Sequence, residues 1–251
     1  MPLYRPFARK EMKGGGHYYV DAKGKRVVGV TTVCGMWPKP MLVGWAARTA
    51  AQYAVDNWDE LSGMSNNVKF ELIKDAPNQD RDAAAGKGTK VHDFAEHLIL
   101  GEEVEPPEEI VGHVEAYAKF LDTFKVEPIH TESNVFNYNL GYAGTLDMIC
   151  RIPSIDDAPI LCDIKTTRSG IFGDVALQLS AYANATHISD GETETEMPEI
   201  KRAFAIHVRA DGADIRELNL DGAFMTFRYL KEIYHAQAVL KKACGEIIEA
   251  N

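Results

Sequence analysis

No run in this sequence approaches the roughly 20 apolar residues that a bilayer span requires, and mean hydropathy is −0.23. The opening residues, Met1-Pro2-Leu3-Tyr4-Arg5-Pro6, lead into no apolar segment of signal-peptide type. Cysteine is scarce. Cys34, Cys150, Cys162 and Cys244 are scattered, and no two share a C-x-x-C spacing. That excludes a zinc ribbon or a disulfide framework, and free or buried thiols of a reducing cytoplasm are expected. Positive charge is short as well: 27 Lys+Arg stand against 37 Asp+Glu, for a net charge of −10. A protein that coats nucleic acid through bulk charge is thereby excluded. An enzyme that meets phosphates through metal ions and a local basic cleft is not. Repeats and low-complexity segments are absent. What remains is ordinary globular composition, 45% hydrophobic and 25% charged over 251 residues, long enough to bury a large core.

Punctuation residues divide this single expected domain into an N-terminal elaboration, 1–79, and a core, 80–251. His17-Tyr18-Tyr19-Val20, a turn at 21–25 and a second run at 26–33 read as a hairpin. Trp37-Pro38-Lys39-Pro40 breaks the chain before a helix at 41–58, and a short helix covers 68–74. Pro77-Asn78-Gln79-Asp80 marks the boundary. Beyond it Val91, Phe94, Ala95, Leu98 and Ile99 recur at helical spacing, with Thr89 as the N-cap and Gly86 and Gly88 allowing a tight lead-in. Pro106-Pro107 opens a helix that runs to Phe124. Strands are expected at 129–137, 142–152 and 159–166, then a helix at 174–188 and an exposed acidic loop at 190–199. Strands at 202–209 and 214–220 precede a long helix at 221–248. Hairpins followed by one helix between strands predict an α/β fold, a mixed β-sheet flanked by helices.

The chemistry concentrates in the central strands. A turn centred on Ile155 places Asp147 opposite Asp163, with Cβ atoms about 5 Å apart. Lys165, two residues on, shares the face of Asp163. The preceding turn at 138–141 places Glu132 opposite Asp147. Three neighbouring carboxylates repel one another unless a cation intervenes, and Mg²⁺ or Mn²⁺ prefers such oxygens while keeping several waters. A metal held there can activate water and stabilise an attacked phosphodiester, with Lys165 beside it. A plain Asp–Lys–Asp ion-pair patch on a solvated face is the competing reading. Met148, Ile149, Cys150, Ile160, Leu161, Cys162 and Ile164 weigh against it, because they make these strands apolar on both sides.

Four fragments stand in a telling order: Gly88-Thr89-Lys90-Val91-His92, Gly144-Thr145-Leu146-Asp147, Asp163-Ile164-Lys165 and Gln178-Leu179-Ser180-Ala181-Tyr182. In that order the chain resembles the PD-(D/E)XK nuclease superfamily, especially its RecB-like and phage-type exonuclease branches, over 86–182. The N-terminal hairpin and Trp45-Ala46 are similar to phage-type members as well. The resemblance implies a restriction-endonuclease-like core with an N-terminal hairpin and helical elaboration. It also implies a Mg²⁺- or Mn²⁺-dependent deoxyribonuclease of recombination, repair or phage DNA processing. By the same resemblance Asp147 and Asp163 bind metal, assisted by the Ile164 carbonyl and His92, and Lys165 acts on the nucleophile; Glu132, placed by register, is a further candidate ligand. Gln178 and Tyr182 order the edge of the site or bind a DNA phosphate or sugar. Cys244 stands alone near the C-terminus, so no iron–sulfur cluster is expected. No G-x-x-x-x-G-K-[ST] motif is present, so no fused helicase is expected.

Other candidates are weaker. His92 and His97 are five apart, so they do not form a zincin pair, and Glu96 is a supporting or surface acid. Lys87, Lys90, Arg168, Arg48 and Arg151 are candidate phosphate contacts; Lys87 and Lys90 flank an expected helix start, where free N–H groups favour anions. Trp37 or Trp45 could stack on a base, with core packing the better reading for Trp45. The expected partner is DNA, with room for a recombinase or annealing protein and for an oligomer. Exonuclease is the leading activity. An endonuclease with the same site, a non-catalytic DNA-binding protein retaining the fold, and a phosphoesterase of small nucleotides stay open.

Overall fold

A computed structural model describes residues 7–13, 16–21, 23–191 and 193–246. In chain order its elements are β1 (Ala8–Glu11), β2 (His17–Val20), β3 (Arg26–Gly29), α1 (Val30–Cys34), α2 (Met41–Asp56), α3 (Trp58–Ser62) and α4 (Asn66–Ile99). A short 3₁₀ turn (Glu108–Ile110) leads into α5 (Val111–Phe124), β4 (Glu127–Asn137), β5 (Tyr142–Ile152) and β6 (Asp156–Lys165). Then come α6 (Val175–Ala183), β7 (His187–Ser189), β8 (Glu194–Glu196), β9 (Ala203–Arg209), β10 (Gly212–Leu218) and α7 (Ala223–Leu240). No helix among the described residues is long and apolar enough to cross a membrane.

The fold is α/β, a mixed sheet of ten strands flanked by helices. β5 organises it. β4 pairs antiparallel along the length of one edge of β5. The other edge is divided: β3 runs parallel to its start, Gly29 opposite Ala143, and β6 runs antiparallel to its end, from Met148 opposite Cys162. Between Ala143 and Met148 the sheet forks. β9 continues beyond β6 in parallel, and β10 closes that side. One face of the sheet is covered by α1, α6 and α7 through Val30, Val33, Leu177, Tyr182, Phe227 and Leu230. The other is covered by α4 and α5 through Val91, Ala95, Val114, Tyr117 and Phe120.

The main departure from expectation is α4. The expected boundary at Pro77-Asn78-Gln79-Asp80 and the Thr89 N-cap both fall inside one continuous helix of 34 residues. A proline there forfeits one hydrogen bond and crowds the preceding turn. Pro77 is buried next to Ala76, which lines the groove between α2 and α4, and Ala83-Ala84-Ala85 then propagate the helix with the best helical propensity available. Thr89 therefore caps nothing; its hydroxyl bonds back to the Ala85 carbonyl at 3.2 Å. Gly88 serves proximity instead, since a Cβ there would lie 3.0 Å from Thr166 Oγ1. Smaller departures have similar local causes. Val30–Cys34 is helical rather than strand, and the expected helix 174–188 ends at Ala183 so that β7 can pair with β4. The expected acidic loop contains β8. The last helix stops at Leu240, and 247–248 lie outside the described residues. β1, which carries no strand signal in the sequence, pairs with β2.

Candidate metal centre

The expected strand registers hold. Thr131 opposite Met148 and Ser133 opposite Leu146 bracket Glu132 and Asp147, and Met148 opposite Cys162 leads directly to Asp147 and Asp163. The faces, however, divide in a way register alone does not reveal. Tyr142 and Leu146 pack under α6 and α7, and so does Ile149. Strict alternation would send Ile149 to the opposite face and keep Met148 with Leu146, yet Met148 packs under α4 and α5. The alternation slips at Asp147. Opposite it, Glu132 has φ 42°, a left-handed conformation that costs a glutamate on the order of 1–3 kcal/mol. Such irregularities re-aim side chains, and here they turn both carboxylates toward α4.

His92 meets them from that helix, between the core residues Val91 and Ala95. One ligand atom from each of His92, Glu132 and Asp147 lies within 4.8 Å of the others, with His92 Nδ1 3.6 Å from Asp147 Oδ2. Asp163 lies beside this group rather than in it. It is buried toward α6, where Gln178 donates to Oδ1 at 2.9 Å. Lys165 Nζ lies 2.5 Å from Oδ2, an ion contact without hydrogen-bond alignment, so Oδ2 is otherwise unpartnered. Across the fork, the Ile164 N–H donates to Asp147 Oδ2 at 2.7 Å. The N–H and C=O of a strand residue leave by the same edge, so the Ile164 carbonyl also faces Asp147.

Of the two roles expected for Tyr182, its position suits ordering the edge of the site and not contact with DNA. It is fully buried, packs on Gly144, and accepts from Gln178 at 3.3 Å, so it reaches the site through Gln178 and offers nothing to a phosphate. A support that sequence reasoning missed ties down the segment after Lys165. His207, opposite Lys165 on β9, lies with Nε2 2.7 Å from the Thr167 carbonyl and Nδ1 2.9 Å from Arg209. A guanidinium can only donate, so Nε2 carries the imidazole proton. No local motif announces this pair, because it arises from the parallel register of β6 and β9.

Electrostatics follow from crowding. Burial, then Asp147 and Glu96, push the Glu132 carboxyl up to about 8, with Arg9 opposing. Burial pushes Asp163 up to about 6 against the pull of Lys165. Burial disfavours the Lys165 ammonium, but Asp163 and Asp147 outweigh it and its pKa is raised. Both acids therefore hold protons in the native state that the unfolded chain, at 4.5 and 3.8, has released. Stability of the metal-free protein falls as pH rises between about 4 and 8. In EDTA, the melting temperature is expected to drop from pH 5 to pH 8, and Glu132→Gln to flatten the portion above pH 6. A flat profile in the unsubstituted protein would contradict the burial of these groups.

The cations expected at the substrate are largely engaged elsewhere. Lys87 and Lys90 sit within α4, not at its start, so the free-N–H argument for them fails. Lys90 pairs with Glu109. Arg168 donates through one nitrogen, NH2, to both Asp80 oxygens at 2.8 and 2.9 Å, and both residues line a groove of about 590 Å³ between α2 and α4 with Trp45 and Arg48. Arg151 stands opposite Glu127, toward the far end of β5. Trp37 is exposed and His97 pairs with Glu102 at 2.6 Å.

No family model matches this chain, and no curated protein does. Among solved structures it aligns with the crystal structure of SSO0001 at 19% identity and a TM-score of 0.35, over 82% of this chain and 72% of that one. At that distance the likeness carries no argument about fold or activity.

Proposed function

We propose that the protein is a metal-dependent nuclease of the PD-(D/E)XK type that hydrolyses DNA phosphodiester bonds. The observation that supports this reading is the meeting of His92, Glu132 and Asp147 next to a buried Asp163–Lys165 pair at the fork of the sheet. The donor set suits a divalent ion. Burial, with Asp147 beside it, holds Glu132 protonated near neutrality without a cation, and an imidazole beside them favours Mn²⁺ over Mg²⁺. His92, Glu132 and Asp147 would hold the ion, with Asp163 and the Ile164 carbonyl within the same fork. When bound it supplies Lewis-acid stabilisation of the attacked phosphate and a more acidic water.

The chain's own groups do the rest. Asp163 keeps Lys165 charged and aimed, and Gln178 fixes the second oxygen of Asp163. Lys165, the group whose ammonium stays charged across the working range, orients the attacking water and offsets charge on the phosphoryl oxygens. The experiment compares end-labelled linear DNA with circular DNA in Mg²⁺, Mn²⁺ or EDTA. Loss of linear DNA only, with either metal and not in EDTA, is the expected result. Cutting of circles would make the enzyme an endonuclease with the same site, and no cleavage under any metal would overturn the proposal.

A further inference from the structure

The carboxylate group faces a polyanionic substrate, yet three cations singled out from the sequence are paired or displaced. Lys90 is bound to Glu109, Arg168 to Asp80, and Lys87 lies within α4 rather than at a helix start. A different cation reaches the site from the N-terminal strand. Arg9 on β1 pairs with Tyr19 of β2, and its NH1 comes within 3.5 Å of Thr145 Oγ1, two residues before Asp147. β1 is fixed in place by Phe7, whose ring packs against Tyr138 and Phe136 at 4.4 and 5.6 Å.

Behind Arg9 runs a hydrogen-bonded row with a definite direction. The Thr145 hydroxyl donates to Asn134 Oδ1 at 3.0 Å. Its proton being used, it accepts from the Tyr19 hydroxyl at 2.8 Å, and His17 Nε2 lies 3.1 Å from that same hydroxyl. Two sets of donors are left over. The Asn134 amide N–H pair has no protein partner among the described residues. Arg9 gives Nε to Glu11 at 2.9 Å and NH1 to Thr145, so its NH2 has none either. Asn134 stands two residues from Glu132 on β4, at most about 6.8 Å away along a strand, a step comparable with one nucleotide of an extended chain. A half-exposed guanidinium edge with an adjacent amide is the donor pattern that takes the two free oxygens of a phosphodiester.

We propose that Arg9 and Asn134, backed by Tyr19 and Thr145, form a subsite for the phosphodiester adjoining the scissile one in a DNA strand. This rests on the hydrolytic reading above. Arg9 lies on the Glu132 side of the carboxylates and Lys165 on the Asp163 side, so the two cations bracket the acids that the substrate must approach.

The test compares a short oligonucleotide with thymidine 5′-p-nitrophenyl phosphate, which has one phosphodiester and no neighbour. Arg9→Ala is set against Arg26→Ala, which changes net charge equally; Arg26 stacks on Tyr18, on the opposite side of the hairpin. In Mn²⁺, Arg9→Ala is expected to raise KM for the oligonucleotide at least tenfold more than for the ester. Arg9→Lys, with the charge but not the fork, should recover part of the loss, and Arg26→Ala should track the unsubstituted protein. An Arg9→Ala protein indistinguishable from Arg26→Ala, or one equally impaired on both substrates, would overturn the subsite. Inertness of the unsubstituted protein toward both substrates would instead sink the hydrolytic reading. Oligonucleotide binding by fluorescence anisotropy, in a Lys165→Ala background, then decides Arg9 separately: an unchanged Kd on adding Arg9→Ala overturns the subsite, and a tenfold rise supports it.

Discussion

Lys165→Ala is expected to lower DNA cleavage on the order of 10³-fold, the magnitude associated with removing a group that moves or orients a proton or stabilises developing charge. Single-turnover cleavage in Mn²⁺ measures this, and calorimetric titration of Mn²⁺ into the same protein shows whether the ligands survive. They should survive, because His92, Glu132 and Asp147 meet without help from Lys165. The structural cost should depend on pH. Without its ammonium partner, buried Asp163 retains only Gln178 and is driven further toward its protonated form, so the variant should be nearly as stable as the parent at pH 5 and less stable at pH 8. A Lys165→Ala protein with more than a tenth of normal cleavage would refute the assigned role. Loss of Mn²⁺ binding together with cleavage would show that the lysine shapes the centre rather than acting in it.

Gly144→Ala should be strongly destabilising for a single added methyl. A Cβ at that position would lie 2.5 Å from Tyr182 Cε1 and 3.2 Å from Val30 Cγ2. Neither can retreat, since Tyr182 and Val30 are fully buried between the sheet, α6 and α1. Overpacking of this kind costs roughly 1–3 kcal/mol, and the rigid surroundings place this case near the upper end, a fall in Tm of roughly 5–10 °C. Activity should fall beyond what unfolding explains. Tyr182 and Gln178 share α6, so a displaced ring carries the Gln178 amide away from Asp163. Thermal melts beside cleavage at a temperature where both proteins are folded separate the two effects. Gly144→Ala combined with Tyr182→Leu should regain stability, because the two residues are in contact and their effects do not add. Additive losses would place the clash elsewhere.

Much of this was legible in the sequence because β-pairing around short turns is arithmetic. Turns near Leu140 and Ile155 place Glu132, Asp147 and Asp163 across from one another, and the ladders agree in register up to the pairs beside them, Thr131 with Met148, Ser133 with Leu146 and Met148 with Cys162. The hairpin of β2 and β3 was readable from its glycine-bearing turn in the same way. What failed were inferences that assume local signals act alone. Pro77 and Gly88 read as punctuation, yet the helix runs through both, with Pro77 buried and Gly88 closely approaching Thr166. The separation of Asp163 from the His92–Glu132–Asp147 group was equally hidden, since it depends on a slip in strand alternation that no composition reveals. Long-range partners such as Asp80 for Arg168, 88 residues apart, lie beyond any motif.

The unbroken course of α4 has a consequence for how this chain can vary. At 1.5 Å per residue it extends about 50 Å, and one rigid rod holds Asp80 at Arg168, Gly88 at Thr166 and His92 at the carboxylates. Substitutions along its exposed face leave that spacing untouched. A single inserted or deleted residue between Asp80 and His92 would instead turn one contact about 100° out of phase with the others. Length change in this protein therefore belongs to its loops, and the stretch from Asp80 to His92 behaves as a fixed ruler whose count matters more than most of its letters.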